Sequence, residues 1–252
     1  LKIAIHSFKG GTGKSTVCAN LAVLLALRER KVAVVDHDLT APGIHIIYDV
    51  PQPKYTLNDL LDAKCRIDDV VLDITDQLKL KTGRLYLVPA SLRADSIIRV
   101  INEGYDPIMF VEILKRIYEA YQLDILLVDT HPGISDDVLL TLAACDLVLV
   151  LSRLDKQDYI GTEATLELTR RFGREVRLLL NEVPLGIPVD TVKKRIESAF
   201  KEEVMGILPF AEDLFSSGSE RLFAIHEPGH PFLSALEQVA SKILKLKGGK
   251  GG

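Results

Sequence analysis

Two lysines bracket a short glycine-rich run, Lys9-Gly10-Gly11-Thr12-Gly13-Lys14-Ser15-Thr16. Residues of these types at this spacing bind phosphate. Gly10, Gly11 and Gly13 let backbone N–H groups converge on phosphate oxygens without Cβ clashes, and a helix starting at Lys14 adds its partial positive charge. Lys14 is placed to reach β- and γ-phosphates and the Ser15 hydroxyl to ligate Mg²⁺, with Thr12 and Thr16 completing the loop. The pattern G-x-x-x-x-G-K-[ST] is met except at its first glycine, where Phe8 stands. A second lysine directly after Phe8 makes this a variant loop. Its context is the required one, with an apolar strand (Ile3 to Ile5) before it and helical periodicity (Val17, Leu21, Leu24, Leu25) after it.

Other polar residues end apolar runs elsewhere in the chain. Asp129 follows Ile125-Leu126-Leu127-Val128, the setting of an acid that holds Mg²⁺ directly or through water. Asp36 and Asp38 flank His37 after another apolar run; Asp38 is expected to orient the attacking water and Asp36 to join the Mg²⁺ shell. Gly133, in Thr130-His131-Pro132-Gly133, allows close backbone approach to a γ-phosphate. Asn181 offers an acceptor and donors that suit an adenine edge, and Pro209 could border that base. His131, with His6 and His37, suggests a base or a metal site. Neither is expected, because phosphoryl transfer depends on positioning and Mg²⁺.

These residues need a scaffold that brings strand ends together. Short apolar strands alternate with helical patterns, which predicts an α/β fold: a doubly wound, mostly parallel β-sheet flanked by helices. Strands are expected at Lys2–Ser7, Val32–Asp36, Leu85–Val88, Ile125–Asp129, Leu147–Leu151, Val176–Leu180 and Gly206–Leu208. Helices are expected at Lys14–Arg30, Leu57–Asp62, Pro107–Tyr121, Asp136–Ala144, Gly161–Phe172, Val189–Phe200 and Pro231–Lys247. Thr56 and Asp59 suggest a capping box for the second helix, and Asp68 to Lys81 reads as a surface excursion. Ligands of such sheets lie beyond the carboxyl ends of the strands, where the polar residues above converge. One domain over 1–246 is expected, followed by a flexible Lys-Gly-Gly repeat tail over 247–252.

A formal charge of −4 argues against a whole-surface nucleic-acid binder, though not against a local basic patch. The apolar runs fall short of the roughly 18 residues of a membrane span. Cys18, Cys65 and Cys145 never occur in C-x-x-C spacing and read as reduced thiols of a cytoplasmic protein. Leu233, Leu236, Ala240, Ile243 and Leu244 form one stripe near the end, read as core packing more readily than as a membrane face.

Together Lys9–Thr16, Asp36-x-Asp38, Asp129-Thr130-x-Pro132-Gly133, Asn181-Glu182-Val183 and Gly206-Ile207-Leu208-Pro209 resemble the deviant Walker-A P-loop ATPases of the MinD/ParA family. Asp36-His37-Asp38-Leu39-Thr40 and Thr56-Leu57-Asn58-Asp59-Leu60-Leu61 look most like archaeal MinD-like proteins. The resemblance implies a cytoplasmic or peripherally membrane-bound, Mg²⁺-dependent ATP hydrolase, slow and partner-stimulated. It implies an ATP-dependent homodimer in which Lys9 reaches the partner's nucleotide, so that Lys9, Lys14 and Asp38 serve catalysis. An unidentified regulatory protein, and a membrane or DNA surface, are the implied partners of a positioning or partitioning switch. The alternatives are an ATPase for metallocluster or cofactor insertion, against which the missing Cys pair argues, and a non-hydrolysing nucleotide-binding scaffold.

Overall fold

Seven parallel strands and one antiparallel edge strand form a single sheet in the computed structural model, which describes residues 1–216 and 222–248. In chain order the elements are β1 (Lys2–His6), α1 (Lys14–Ala26), β2 (Lys31–His37), α2 (Ile44–Ile47), α3 (Leu57–Leu61), α4 (Ile67–Val70), β3 (Leu72–Asp73) and β4 (Arg84–Val88). There follow α5 (Ala94–Glu103), α6 (Pro107–Ala120), β5 (Ile125–Thr130), α7 (Asp136–Ala144), β6 (Leu147–Ser152) and α8 (Lys156–Arg171). The chain then forms β7 (Glu175–Val183), α9 (Val189–Phe200), β8 (Val204–Pro209), α10 (Glu212–Ser216), α11 (Phe223–His226) and α12 (Pro231–Gly248).

The strand order is β3-β4-β2-β5-β1-β6-β7-β8. From β1 the chain runs toward β2 on one side, and from β5 it crosses to β6 on the other. The crevice beside β1 is thus where open sheets of this kind bind ligands. The inner stretches of the central strands, such as Val32–Val35 and Ile125–Val128, are apolar because both faces are covered. Side-chain alternation splits the core in two. Ile3, Ile5, Val34 and Leu127 meet α1, α2, α11 and α12 on one face, whereas Ala4, Val35, Val128 and Val150 share the other core with α3, α4, α6, α7, α8 and α9. Helix α1 is buried along nearly its whole length, Cys18 included.

All seven expected strands are present, with bounds shifted by one to three residues. Asp59 accepts the Thr56 N–H at 3.0 Å and the Thr56 hydroxyl at 2.8 Å, so the expected box caps α3. Residues 68–81 are more than a surface excursion: α4 and β3 fall there, β3 pairs with β4 (Leu72↔Leu87), and Val70, Val71 and Ile74 are buried. A one-turn helix and a two-residue strand are too short to show a period. Helix α8 starts five residues before the expected Gly161, because the Asp155 carboxylate accepts the N–H groups of Gln157 and Asp158, each at 2.9 Å. Helices α2, α4, α5, α10 and α11 had no counterpart in the sequence reading. The stripe of α12 is core: Leu233, Leu236, Ala240 and Ile243 are buried against the sheet and α1. Among the described residues no helix is long and apolar enough to cross a membrane. Most of the Lys-Gly-Gly repeat lies outside the described residues.

Candidate functional site

The loop between β1 and α1 forms one wall of a cleft of about 680 Å³, a size that suits a nucleotide. Gly10 to Val17 line it, facing Asp38, Pro132, Asn181, Glu182, Pro209 and Phe210. Gly13 takes φ +81°, and a Cβ there would lie 2.5 Å from the Asn181 amide nitrogen. Only glycine fits that position, because the backbone is left-handed and the neighbour is already in contact.

Ser7 organises the loop from beneath. Its hydroxyl donates to the Lys9 carbonyl at 2.6 Å and accepts from the Thr12 hydroxyl at 2.8 Å and the Lys14 ammonium at 3.0 Å. Burial pulls the Lys14 ammonium below its ordinary range, while Asp129 and Asp38 oppose that effect. A buried lysine held by one neutral hydroxyl is a cation in need of anions, which phosphate oxygens would supply.

Opposite Lys14, Asp129 accepts the Ser15 hydroxyl at 2.6 Å through one oxygen, and its other oxygen is buried with no partner. Burial lifts its carboxyl to about 7, against the pull of Ser15 and Lys14. Asp36 is its register partner on β2, and burial together with the Asp129 charge pushes Asp36 up as well. Two buried carboxylates, one with an orphan oxygen beside a serine hydroxyl, form a hard-oxygen donor set that fits Mg²⁺. Asp36 is the more occupied of the two. Its oxygens accept the N–H groups of Asp38 (3.2 Å), Gly43 (3.1 Å) and Ile44 (3.2 Å), so it ties down the loop between β2 and α2. That loop carries Asp38, which accepts the Thr40 hydroxyl at 3.1 Å and the Ala41 N–H at 2.9 Å and lines the cleft.

On the base side, Asn181 is buried and donates its amide to the Thr12 carbonyl at 2.8 Å. One of its donors is therefore spent on the loop, leaving the carbonyl and one N–H. Glu182 beside it adopts φ +54° in an irregular stretch of β7, and Pro209 and Phe210 close that end.

Lys9 points away from Lys14. Its ammonium lies 2.7 Å from the Gln157 side-chain oxygen, 3.4 Å from Asp158 and 3.5 Å from Asp155, all at the start of α8. Phe8 sits where a Cβ on Gly161 would be, 2.0 Å from the nearest ring atoms, so the glycine of α8 makes room for the ring. The sequence reading missed Ser7, Asp155, Gln157 and Asp158. Asp155-x-x-Asp158 ahead of a helical pattern is a capping signature that could have exposed them. Arg153 shares the same carboxylates, at 3.1 Å from Asp158 and 3.7 Å from Asp155.

The three histidines do not gather around a common point. His6 bonds the Thr130 hydroxyl at 2.8 Å, and the His37 and His131 rings are 5.9 Å apart between centroids. Among the described residues no group of three or more His, Cys, Asp or Glu could hold a metal ion.

A glycine loop joining the central strand of a parallel sheet to a buried helix, with Lys14, Ser15 and Asp129 around it, defines a P-loop nucleotide-binding domain. Residues 3–222 match the model of the CobQ/CobB/MinD/ParA nucleotide binding domain, and the chain belongs to that family as an ATP-binding P-loop ATPase of the MinD/ParA type. It is 27% identical over 254 residues to an uncharacterised ATP-binding protein of Methanocaldococcus jannaschii, covering 98% of this chain and 89% of that one. It is 31% identical to the antiactivator FleN of Pseudomonas aeruginosa over 170 residues, 67% of this chain and 56% of FleN. The fold superposes with a TM-score of 0.81 on the septum site-determining protein MinD of Pyrococcus horikoshii complexed with Mg-ADP. That likeness covers 99% of this chain and 98% of the other at 23% identity.

Proposed function

We propose that the protein is an Mg²⁺-dependent ATP hydrolase whose bound ATP drives homodimerisation, working as a positioning or partitioning switch. The observation that carries this reading is the run of exposed apolar side chains in the segments that follow the parallel strands. Phe8, Ile46, Leu92, Ile134, Ile160, Leu185 and Phe210 lie one to nine residues past the ends of β1, β2, β4, β5, β6, β7 and β8, and Ile46 and Phe210 line the cleft itself. Exposed apolar groups beside a polar cleft favour a protein surface as the cover, and a second copy would present the same groups.

In this reading Gly10 to Thr16 bind the phosphates, with Lys14 on the β- and γ-phosphate oxygens. Ser15 and Asp129 hold Mg²⁺, which when bound neutralises charge on those oxygens. Asp36 keeps a metal-shell role through water and otherwise fixes the loop of Asp38. Asp38 orients a water that attacks the γ-phosphorus. The bond to the bridging oxygen breaks, and ADP and inorganic phosphate leave with the water's proton. Asn181 presents its carbonyl to the base, which lies beside Pro209. Lys9 leaves its carboxylates on α8 and crosses to the partner's phosphates, giving charge stabilisation only in the dimer. The Mg-ADP bound by the MinD of P. horikoshii supports the ligand assignment. FleN's description as an antiactivator supports a protein partner that reads the switch.

The test is size-exclusion chromatography with light scattering on an Asp38→Ala background, which traps ATP. An ATP-dependent dimer that Lys9→Ala abolishes is expected. A dimer indifferent to both ATP and Lys9 overturns the switch.

A further inference from the structure

On the face of the sheet away from the cleft, one carboxylate ties the ends of β2 and β5 together. Asp137, in the first turn of α7, accepts the Tyr105 hydroxyl at 2.7 Å and the His131 Nε2–H at 2.9 Å on one oxygen. Its other oxygen accepts the Ser135 hydroxyl at 2.5 Å. Tyr105 has a single proton and gives it to Asp137, so its oxygen accepts from the His37 Nε2–H, 2.5 Å away. The His37 ring also stacks on Phe110, with centroids 3.9 Å apart. The His131 Nδ1 lies 3.0 Å from the Pro132 carbonyl, so both of its nitrogens face acceptors. Tyr105 itself belongs to the short connector between α5 and α6. It reaches from outside the sheet to His37 at the end of β2 and, through Asp137, to His131 just past β5.

The register gives this cluster its leverage. Asp36 pairs with Asp129 and His37 with Thr130 across β2 and β5. Successive side chains of a strand face opposite ways, so His37 held behind the sheet fixes the backbone that presents Asp36 and Asp38 in front. His131 lies one residue past the end of β5, outside that alternation, and its bond to Asp137 holds the segment between Asp129 and Pro132, which lines the cleft. None of Tyr105, Ser135 and Asp137 lines the cleft itself.

We propose that Asp137 and Tyr105 are positioning residues for ATP hydrolysis: they clamp the loops after β2 and β5 so that Asp38 and Asp129 are correctly placed at the phosphates. The proposal rests on the ATPase reading above and adds a part of the machinery that never touches the nucleotide. A hydroxyl that joins a buried imidazole to a carboxylate cannot be dropped without leaving one of them short of a partner, which loosens both loops.

Tyr105→Phe and Asp137→Asn in the full chain test it. Turnover of Mg·ATP is expected to fall about fivefold for Tyr105→Phe and about tenfold for Asp137→Asn, as lost hydrogen bonds of this kind imply. Dissociation constants for ATP and ADP should stay within about twofold, because the phosphate loop is untouched. The double variant should lose less than the product of the two single losses, since the two residues share one bond. Tyr121→Phe removes a hydroxyl 3.3 Å from Asp68 at the opposite end of the sheet and should leave turnover unchanged. In nucleotide-free protein, amides of residues 37–44 and 129–134 should exchange hydrogen about fivefold faster in both clamp variants. Unchanged turnover, nucleotide affinity falling in step with turnover, or unchanged exchange in those loops would each overturn the clamp. If wild-type protein itself hydrolyses no ATP, the ATPase reading fails, and the exchange result alone decides whether the clamp holds the loops.

Discussion

Lys9 is expected to be tethered in the monomer, and weakening the tether should make dimerisation easier. The perturbation of choice is Asp155→Asn. Asp155 accepts the N–H groups that start α8, and asparagine caps a helix about as well as aspartate, so the helix should survive while one of the two carboxylate charges facing Lys9 disappears. The Asp155 carboxyl is held below its ordinary range mainly by the Asp158 N–H, with Lys9 adding to it. Asp158 is a poorer target because Arg153 also depends on it, at 3.1 Å.

The magnitude follows from exposure. The Lys9–Asp155 pair spans 3.5 Å with side chains 28% and 42% exposed, which places it among pairs worth about 0.2–1 kcal/mol. Taking about 0.5 kcal/mol per tether, and two tethers released per symmetric dimer, the dimer gains about 1 kcal/mol, or about fivefold in dissociation constant. Analytical ultracentrifugation with ATP, on the hydrolysis-deficient Asp38→Ala background, reads this directly. The same substitution made on top of Lys9→Ala should do nothing, because the charge it removes then has no lysine to hold. Unchanged or weakened dimerisation in Asp155→Asn would refute the tether, as would a gain that persists without Lys9. Added salt should mimic the substitution in part, since the pair is exposed enough to be screened.

Two further outcomes can be checked. Gly13→Ala places a methyl 2.5 Å from the Asn181 amide in a left-handed backbone, so ATP affinity measured by calorimetry should fall at least about tenfold; retained affinity would mean that the loop tolerates a different path. Burial pushes the Asp59 carboxyl up, but hydrogen bonds from Thr56 and Arg93 outweigh it and hold it below the ordinary range. A depressed carboxyl stabilises the fold above its unfolded value of about 3.9 and loses that contribution as pH falls through the folded value. Asp59→Asn should therefore cost about 1–2 kcal/mol in urea unfolding at pH 7, and the gap to wild type should close as pH drops below about 4. A gap independent of pH would mean that the carboxylate charge is not what caps α3.

How much of the molecule was legible in its sequence depends on whether the signal was local. Gly13, Lys14 and Ser15 could be read because phosphate binding is done by consecutive residues at one strand–helix turn. The strand ends could be read because a run such as Ile125 to Val128 is apolar for a reason that its neighbours do not alter. Asp36 shows where such reading stops. Its type and place suit a metal, yet its oxygens receive three N–H groups from a loop whose path no pattern announces. Asn181 is similar: it was read for the base, and its amide also braces the phosphate loop through Thr12, 169 residues away in the chain. Lys9 and Asp155 are brought together only when β1 pairs with β6, and Tyr105 meets Asp137 and His37 only when the α5–α6 connector folds over β2 and β5. Helix α5 was missed for another reason: its N-cap is Arg93, which makes no side-chain cap bond, and none of its residues is fully buried, so its start carries no local signal. Long-range pairing among polar groups has no period in the sequence, and it is through such pairing that this site reaches beyond its loop. The phosphate loop marks where ATP should sit, whereas in the proposed switch the contacts that tether Lys9 and brace Asp38 are what would decide when it is hydrolysed.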